Sequence, residues 1–90
     1  MALRFARSAA RHGIGRERVR HVVERCAAPI YSSEPGDEDL VLFMGPDAHG
    51  IPVEVGAIEL ADGDLLVIHA MRLRRKHLDE YRRVTRWDEA

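Results

Sequence analysis

Lysine and arginine are missing from residues 26–68, and cysteine is nearly missing from the whole chain. The lone thiol, Cys26, cannot close an internal disulfide, so a reducing compartment is expected. No apolar run approaches the roughly 18–20 residues that cross a bilayer, which excludes a helical membrane span. No apolar run of about 7–15 residues follows the basic N-terminus either, so a secretory signal is not expected. The nucleotide-binding loop, zinc-ligand spacing, EF-hand loop and nucleophile elbow are all absent as motifs. The five histidines, at 12, 21, 49, 69 and 77, lack the i, i+4 pairing that helical metal sites favour, so no metal and no cofactor are expected. No internal repeat or low-complexity tract appears.

What is present fits one small globular domain. Ninety residues form a single core, and 46% apolar with 32% charged residues is an ordinary soluble composition. Only about two-thirds of the surface is buried at this size, so a dimer or a dedicated protein partner is expected. The net charge of −1 conceals a segregation. Residues 1–25 hold seven Arg against two Glu, residues 26–68 hold nine acids, and residues 69–90 hold seven Lys or Arg against four acids. Such a pattern suits a basic region that meets an anionic partner, or helix faces solvated beside their counter-charges. The Arg-rich N-terminus imitates a mitochondrial presequence. It also has a structural reading, and cytoplasm is the expected location.

Periodicity sets the elements. Residues 3–11, with Leu3, Phe5, Ala6, Ala9 and Ala10, read as a short helix. Gly13 and Gly15 then supply a turn, and residues 15–26 read as a second helix with Val19, Val22, Val23 and Cys26 on one face. These two form a helical hairpin. Pro29 ends it. Ile30-Tyr31 reads as an edge strand, followed by an acidic loop from Ser32 to Asp39 on Pro35-Gly36. Residues 40–44, 51–60 and 65–70 read as strands, joined by a loop at 45–50 and by Asp62-Gly63, the strongest hairpin signal in the chain. The last run is apolar on both faces, as a central strand requires. Residues 71–86 read as a helix with Met71, Leu73, His77, Leu78, Tyr81 and Val84 on one side, and Arg72, Arg75, Lys76, Arg82, Arg83 and Arg86 on the other. The expected fold is α+β: an N-terminal helical hairpin, a four-stranded antiparallel meander and a C-terminal amphipathic helix.

Cations and imidazoles collect at the junctions of these elements. His12 falls in the turn between the first two helices, His69 at the end of the last strand, Arg72 at the start of the final helix, and Tyr81 further along it. These types suit RNA cleavage by attack of a ribose 2′-OH on its own phosphate. That reaction needs a base, an acid and cations for the developing charge. Histidine fills either proton role and arginine clamps phosphate. The same residues also serve as structural histidines, a solvated arginine and a core tyrosine.

Three runs resemble a known family. RHGIGRERVRHVVERCAAP at 11–29, LFMGPDAHGIPVEV at 42–55 and LLVIHAMRLRRKHLDEY at 65–81 are similar, in the same order, to motifs of BrnT-type toxins of bacterial toxin–antitoxin systems. The resemblance implies a compact relative of RelE-like ribonuclease toxins, which block translation by cutting RNA. It also implies silencing by a cognate antitoxin, often one that binds DNA, in a homodimer or a toxin–antitoxin heterotetramer. Arg11, His12, Gly13, Ala70, Arg72, Arg75, Lys76 and Tyr81 occupy matching positions. The family's Ser is His69 here, its first Arg is Met71, and its Glu falls at His77. Met71 removes one phosphate clamp and His69 adds an imidazole.

The expectation is a metal-independent endoribonuclease with His69 as acid or base, Arg72 and Arg75 on phosphate, and Tyr81 positioning or transferring a proton. His12 is a second imidazole, and Arg11, Lys76 and Arg82 bind RNA. The competing expectation is a non-catalytic module whose basic C-terminal helix meets an acidic protein or a nucleic-acid backbone.

Overall fold

A computed structural model describes residues 2–32, 36 and 39–89, with side chains through 85. The elements in order are β1 (Leu3–Phe5), a 3-10 turn (Arg7–Ala10), α1 (Arg16–Arg25), β2 (Ile30–Tyr31), β3 (Leu40–Pro46), β4 (Pro52–Glu59), β5 (Leu65–Arg72), a second 3-10 turn (Arg75–His77) and α2 (Leu78–Glu89). They build an α+β domain on one five-stranded sheet of order β1-β5-β4-β3-β2. β1 runs parallel to β5, and every other neighbour is antiparallel. Part of the acidic loop read around Pro35 lies outside the described residues, as does the side chain of Arg86.

The sheet has two unlike faces. Side chains of Val41, Phe43, Val53, Val55, Ala57 and Val67 form the main core with Val19, Val22 and Val23 of α1. The i, i+3, i+4 spacing of those valines is the reason α1 lies flat on the sheet. Gly13, at φ 72°, makes the turn into this helix, where a side chain would be strained. Asp47 secures the β3–β4 turn: its Oδ1 accepts the N–H groups of His49 and Ile51, and its Oδ2 accepts from Arg18 of α1.

Three expectations require correction. The helix read at 3–11 is absent; Leu3–Phe5 form β1 and only Arg7–Ala10 turn, as a 3-10 helix. The alanine pattern is helical in isolation, but three residues of ladder with β5 and the grip of Arg4 on Asp62 and Asp64 override it. There is accordingly no helical hairpin, and the sheet is five-stranded and mixed instead of a four-stranded antiparallel meander. The final helix begins at Leu78, not 71, because β5 continues through Arg72 and the chain leaves the sheet extended at Arg74. Arg72 thus ends a strand instead of opening a helix.

The other face carries Leu40, Leu42, Met44, Glu54, Gly56 and Ile58 from β3 and β4, the alternate residues to the core set. A bulge shapes it. Gly56 pairs with His69 and Ala57 with Val67, so Ile68 is an extra residue in β5. Without it His69 would share the core face with Val67; with it the imidazole moves to the face of Glu54. The displaced Ile68 carbonyl accepts the Ser8 hydroxyl at 2.6 Å. The N-terminal segment therefore holds the irregularity in place.

Candidate active site

Glu54 stands in an interior strand, opposite Met44 on one side and Met71 on the other, with no solvent exposure. A carboxylate shut off from water needs partners to remain charged. Arg74 supplies two: its backbone N–H donates to Oε2 at 3.3 Å and its Nε–H to Oε1 at 2.5 Å. Burial pulls the Glu54 carboxyl upward, but the nearby His69 ring and the Arg74 N–H groups outweigh it and hold the group below its ordinary value. Glu54 is thus an anion anchored where the chain turns from β5 toward α2.

Two imidazoles flank it. Nε2 of His69 lies 3.7 Å from Oε1, and Nε2 of His77 lies 3.7 Å from Oε2. Both separations exceed a hydrogen bond, so these are close charge contacts and not formed bonds. Nδ1 of His77 faces Glu80 at 3.6 Å. Nε2 of His69 and Nδ1 of His77 are shielded from solvent without a hydrogen-bond partner. Buried ring nitrogens are ordinarily bonded, so these two mark a site with unused capacity. With Nε2 of His69 turned inward to the carboxylate, Nδ1 is the nitrogen left to meet a substrate.

Gly56 makes room for this arrangement. A β-carbon there would stand 2.5 Å from Cε1 and 2.7 Å from Nδ1 of His69. The imidazole occupies the volume that any side chain at Gly56 would fill.

The site opens into a recess of about 410 Å³. His69, Arg74, Lys76, His77 and Glu80 line its polar side, and Ile30, Leu40 and Leu42 its apolar side. Of the residues expected from sequence, the recess brings together His69 and Lys76. The others lie elsewhere. Arg72 pairs with Val53, a core residue, and so projects on the α1 side of the sheet, opposite to His69. Arg11 and His12 are exposed in the turn before α1, Arg75 is exposed in the second 3-10 turn, and Arg82 is exposed on α2. Tyr81 is half-buried on α2 outside the recess lining, and burial raises its phenol above 10.0.

Glu54, Arg74 and His77 are the members that sequence reasoning passed over. Their signal was faint. Glu54 sits in the alternation Val53-Glu54-Val55, which reads as a strand with one solvated face. His77 was read as part of an apolar helix stripe. Among the described residues no group of three or more His, Cys, Asp and Glu is arranged to hold a metal ion, and no helix is long and apolar enough to cross a membrane.

No family model, curated protein or solved structure matches the chain.

Proposed function

We propose that the protein is an RNA endonuclease of the toxin type, cutting by transesterification at the Glu54–His69–Arg74–His77 cluster. The observation that carries this reading is the buried, ionised carboxylate between two imidazoles in a recess that also presents Arg74 and Lys76. Glu54 orients His69 through Nε2–H, which leaves Nδ1 as a proton acceptor. Catalytic hydrogen bonds that are long in the free enzyme shorten in the substrate complex, so 3.7 Å suits this role.

In the reaction Nδ1 of His69 takes the proton of the ribose 2′-OH as its oxygen forms a bond to phosphorus. The P–O5′ bond breaks, and His77 gives a proton to the departing O5′. Arg74 and Lys76 hold the charge that grows on the phosphoryl oxygens. The products are a 2′,3′-cyclic phosphate and a 5′-hydroxyl. No metal or cofactor enters.

The toxin assignment draws on the motifs at 11–29, 42–55 and 65–81, and with it come an antitoxin partner and action in the cytoplasm. Expression of the chain should arrest growth, and His69→Ala should relieve the arrest while the variant remains folded by circular dichroism. Equal arrest by parent and variant would refute the assignment. The second reading, a non-catalytic module, is favoured by the exposed Arg72, Arg75, Lys76, Arg82 and Arg83. It predicts salt-sensitive binding to RNA without new ends.

A further inference from the structure

A row of residues crosses the sheet through the recess: Ile30 pairs with Leu42, Leu42 with Gly56, and Gly56 with His69. Strands stand about 4.8 Å apart, so Leu42 lies roughly 10 Å from His69 across a position without a side chain. Ile30, Leu40 and Leu42 are half-buried and form one wall of the recess, facing its cationic and imidazole side. We infer that this aliphatic wall seats a nucleobase of unpaired RNA, with the adjoining phosphate at Arg74, Lys76 and His69.

The inference rests on the ribonuclease reading and adds the substrate's form to it. An occupant of both walls must join an anionic group to a flat apolar body a short distance away, which is the composition of a nucleotide. Bases in a duplex are stacked on both faces and paired at their edges, and the A-form helix presents them poorly to side chains. The groups to be reached are sunken: Glu54 is fully covered and the His77 side chain is 17% exposed. A nucleotide splayed from a single strand can descend to them, whereas a rigid duplex cannot. Aliphatic side chains cover any base face alike, so the wall confers a requirement for an unpaired base and little preference among bases.

The test uses the full chain with three probes: a non-cleavable 2′-O-methyl oligoribonucleotide, the same oligonucleotide in a duplex, and inorganic polyphosphate. The variants are Leu42→Ala and Ile30→Ala, the latter at the sheet edge where the risk to folding is smallest. Each should weaken single-strand binding roughly fivefold, as expected for loss of apolar contact, and leave polyphosphate binding unchanged. For cleavable single strands KM should rise with kcat held within about twofold, and the duplex should bind at least tenfold more weakly than the single strand. Equal binding of duplex and single strand, or unchanged KM and affinity in both variants, would overturn the seat. Cleavage indifferent to both variants rejects the seat and leaves the ribonuclease reading intact. Oligonucleotide binding that depends on Leu42, with no cleavage by the parent protein, rejects the ribonuclease and leaves the seat.

Discussion

The imidazole of His69 stands where a side chain at Gly56 would be, with its Cε1 2.5 Å from the position of the missing β-carbon. This pairing across β4 and β5 fixes the ring beside Glu54, and the Ile68 bulge delivers it to the correct face. Gly56→Ala should therefore displace His69. In an ordinary strand that change is favourable, since glycine weakens strands. Here overpacking should cost about 1–3 kcal/mol and RNA cleavage should collapse. Adding His69→Ala removes the clash, so the double variant should be more stable than Gly56→Ala alone. Thermal unfolding of the three variants measures the coupling, and simple additivity would show that the two residues do not compete for space.

Glu54 links the site to acid stability. Its folded carboxyl lies below the ordinary value of 4.5, so the stability it contributes is complete above that value and is lost as pH falls through the lowered folded value. Asp47 and Asp64 are lowered too and act in the same direction. Glu54→Gln should be less stable than the parent at neutral pH and should lose less stability on acidification below about 4.5. Urea unfolding across that window reads the slope. The same variant should cut turnover roughly 10²- to 10⁴-fold, as loss of an orienting charge in proton transfer does. A parallel pH dependence in parent and variant would mean that Glu54 is not the buried anion described.

Arg74 and Arg72 separate two readings of the basic segment. Arg74→Ala strips Glu54 of both its side-chain donor and the cation that faces phosphate, so kcat should fall sharply. Arg72→Ala alters an exposed residue on the far side of the sheet, so kcat should change less than about threefold, with at most a modest loss of RNA affinity. Steady-state kinetics of the pair distinguishes them. The reverse ranking would return the phosphate clamp to Arg72.

Much of this architecture was legible in local patterns. The valine spacing of α1, the apolar runs of β3 and β5, the Asp62-Gly63 hairpin and the Ile30-Tyr31 edge strand all follow from short-range chemistry. β1 was not, because Leu3–Phe5 gain their partner from Leu65–Val67, some sixty residues away. The end of β5 was misplaced because Arg72 and Leu73 suit a helix as well as a strand, and only pairing with Val53 and Pro52 decides between them. His69 stood out as a strand-end imidazole. Glu54 did not, because its worth depends on Arg74 closing over a face that the alternation Val53-Glu54-Val55 makes look solvated. The site is a product of register and a single bulge, and those are properties of strands far apart in sequence.

The most direct measurement is the chemistry of the RNA ends. Purified protein is incubated with single-stranded RNA in the presence of a chelator, and the fragments are analysed by mass spectrometry. The account predicts 2′,3′-cyclic phosphate and 5′-hydroxyl ends, no cleavage of an oligonucleotide carrying 2′-deoxyribose at the scissile position, and loss of activity in His69→Ala and Glu54→Gln. Intact RNA, or equal cleavage by the parent and both variants, would contradict it.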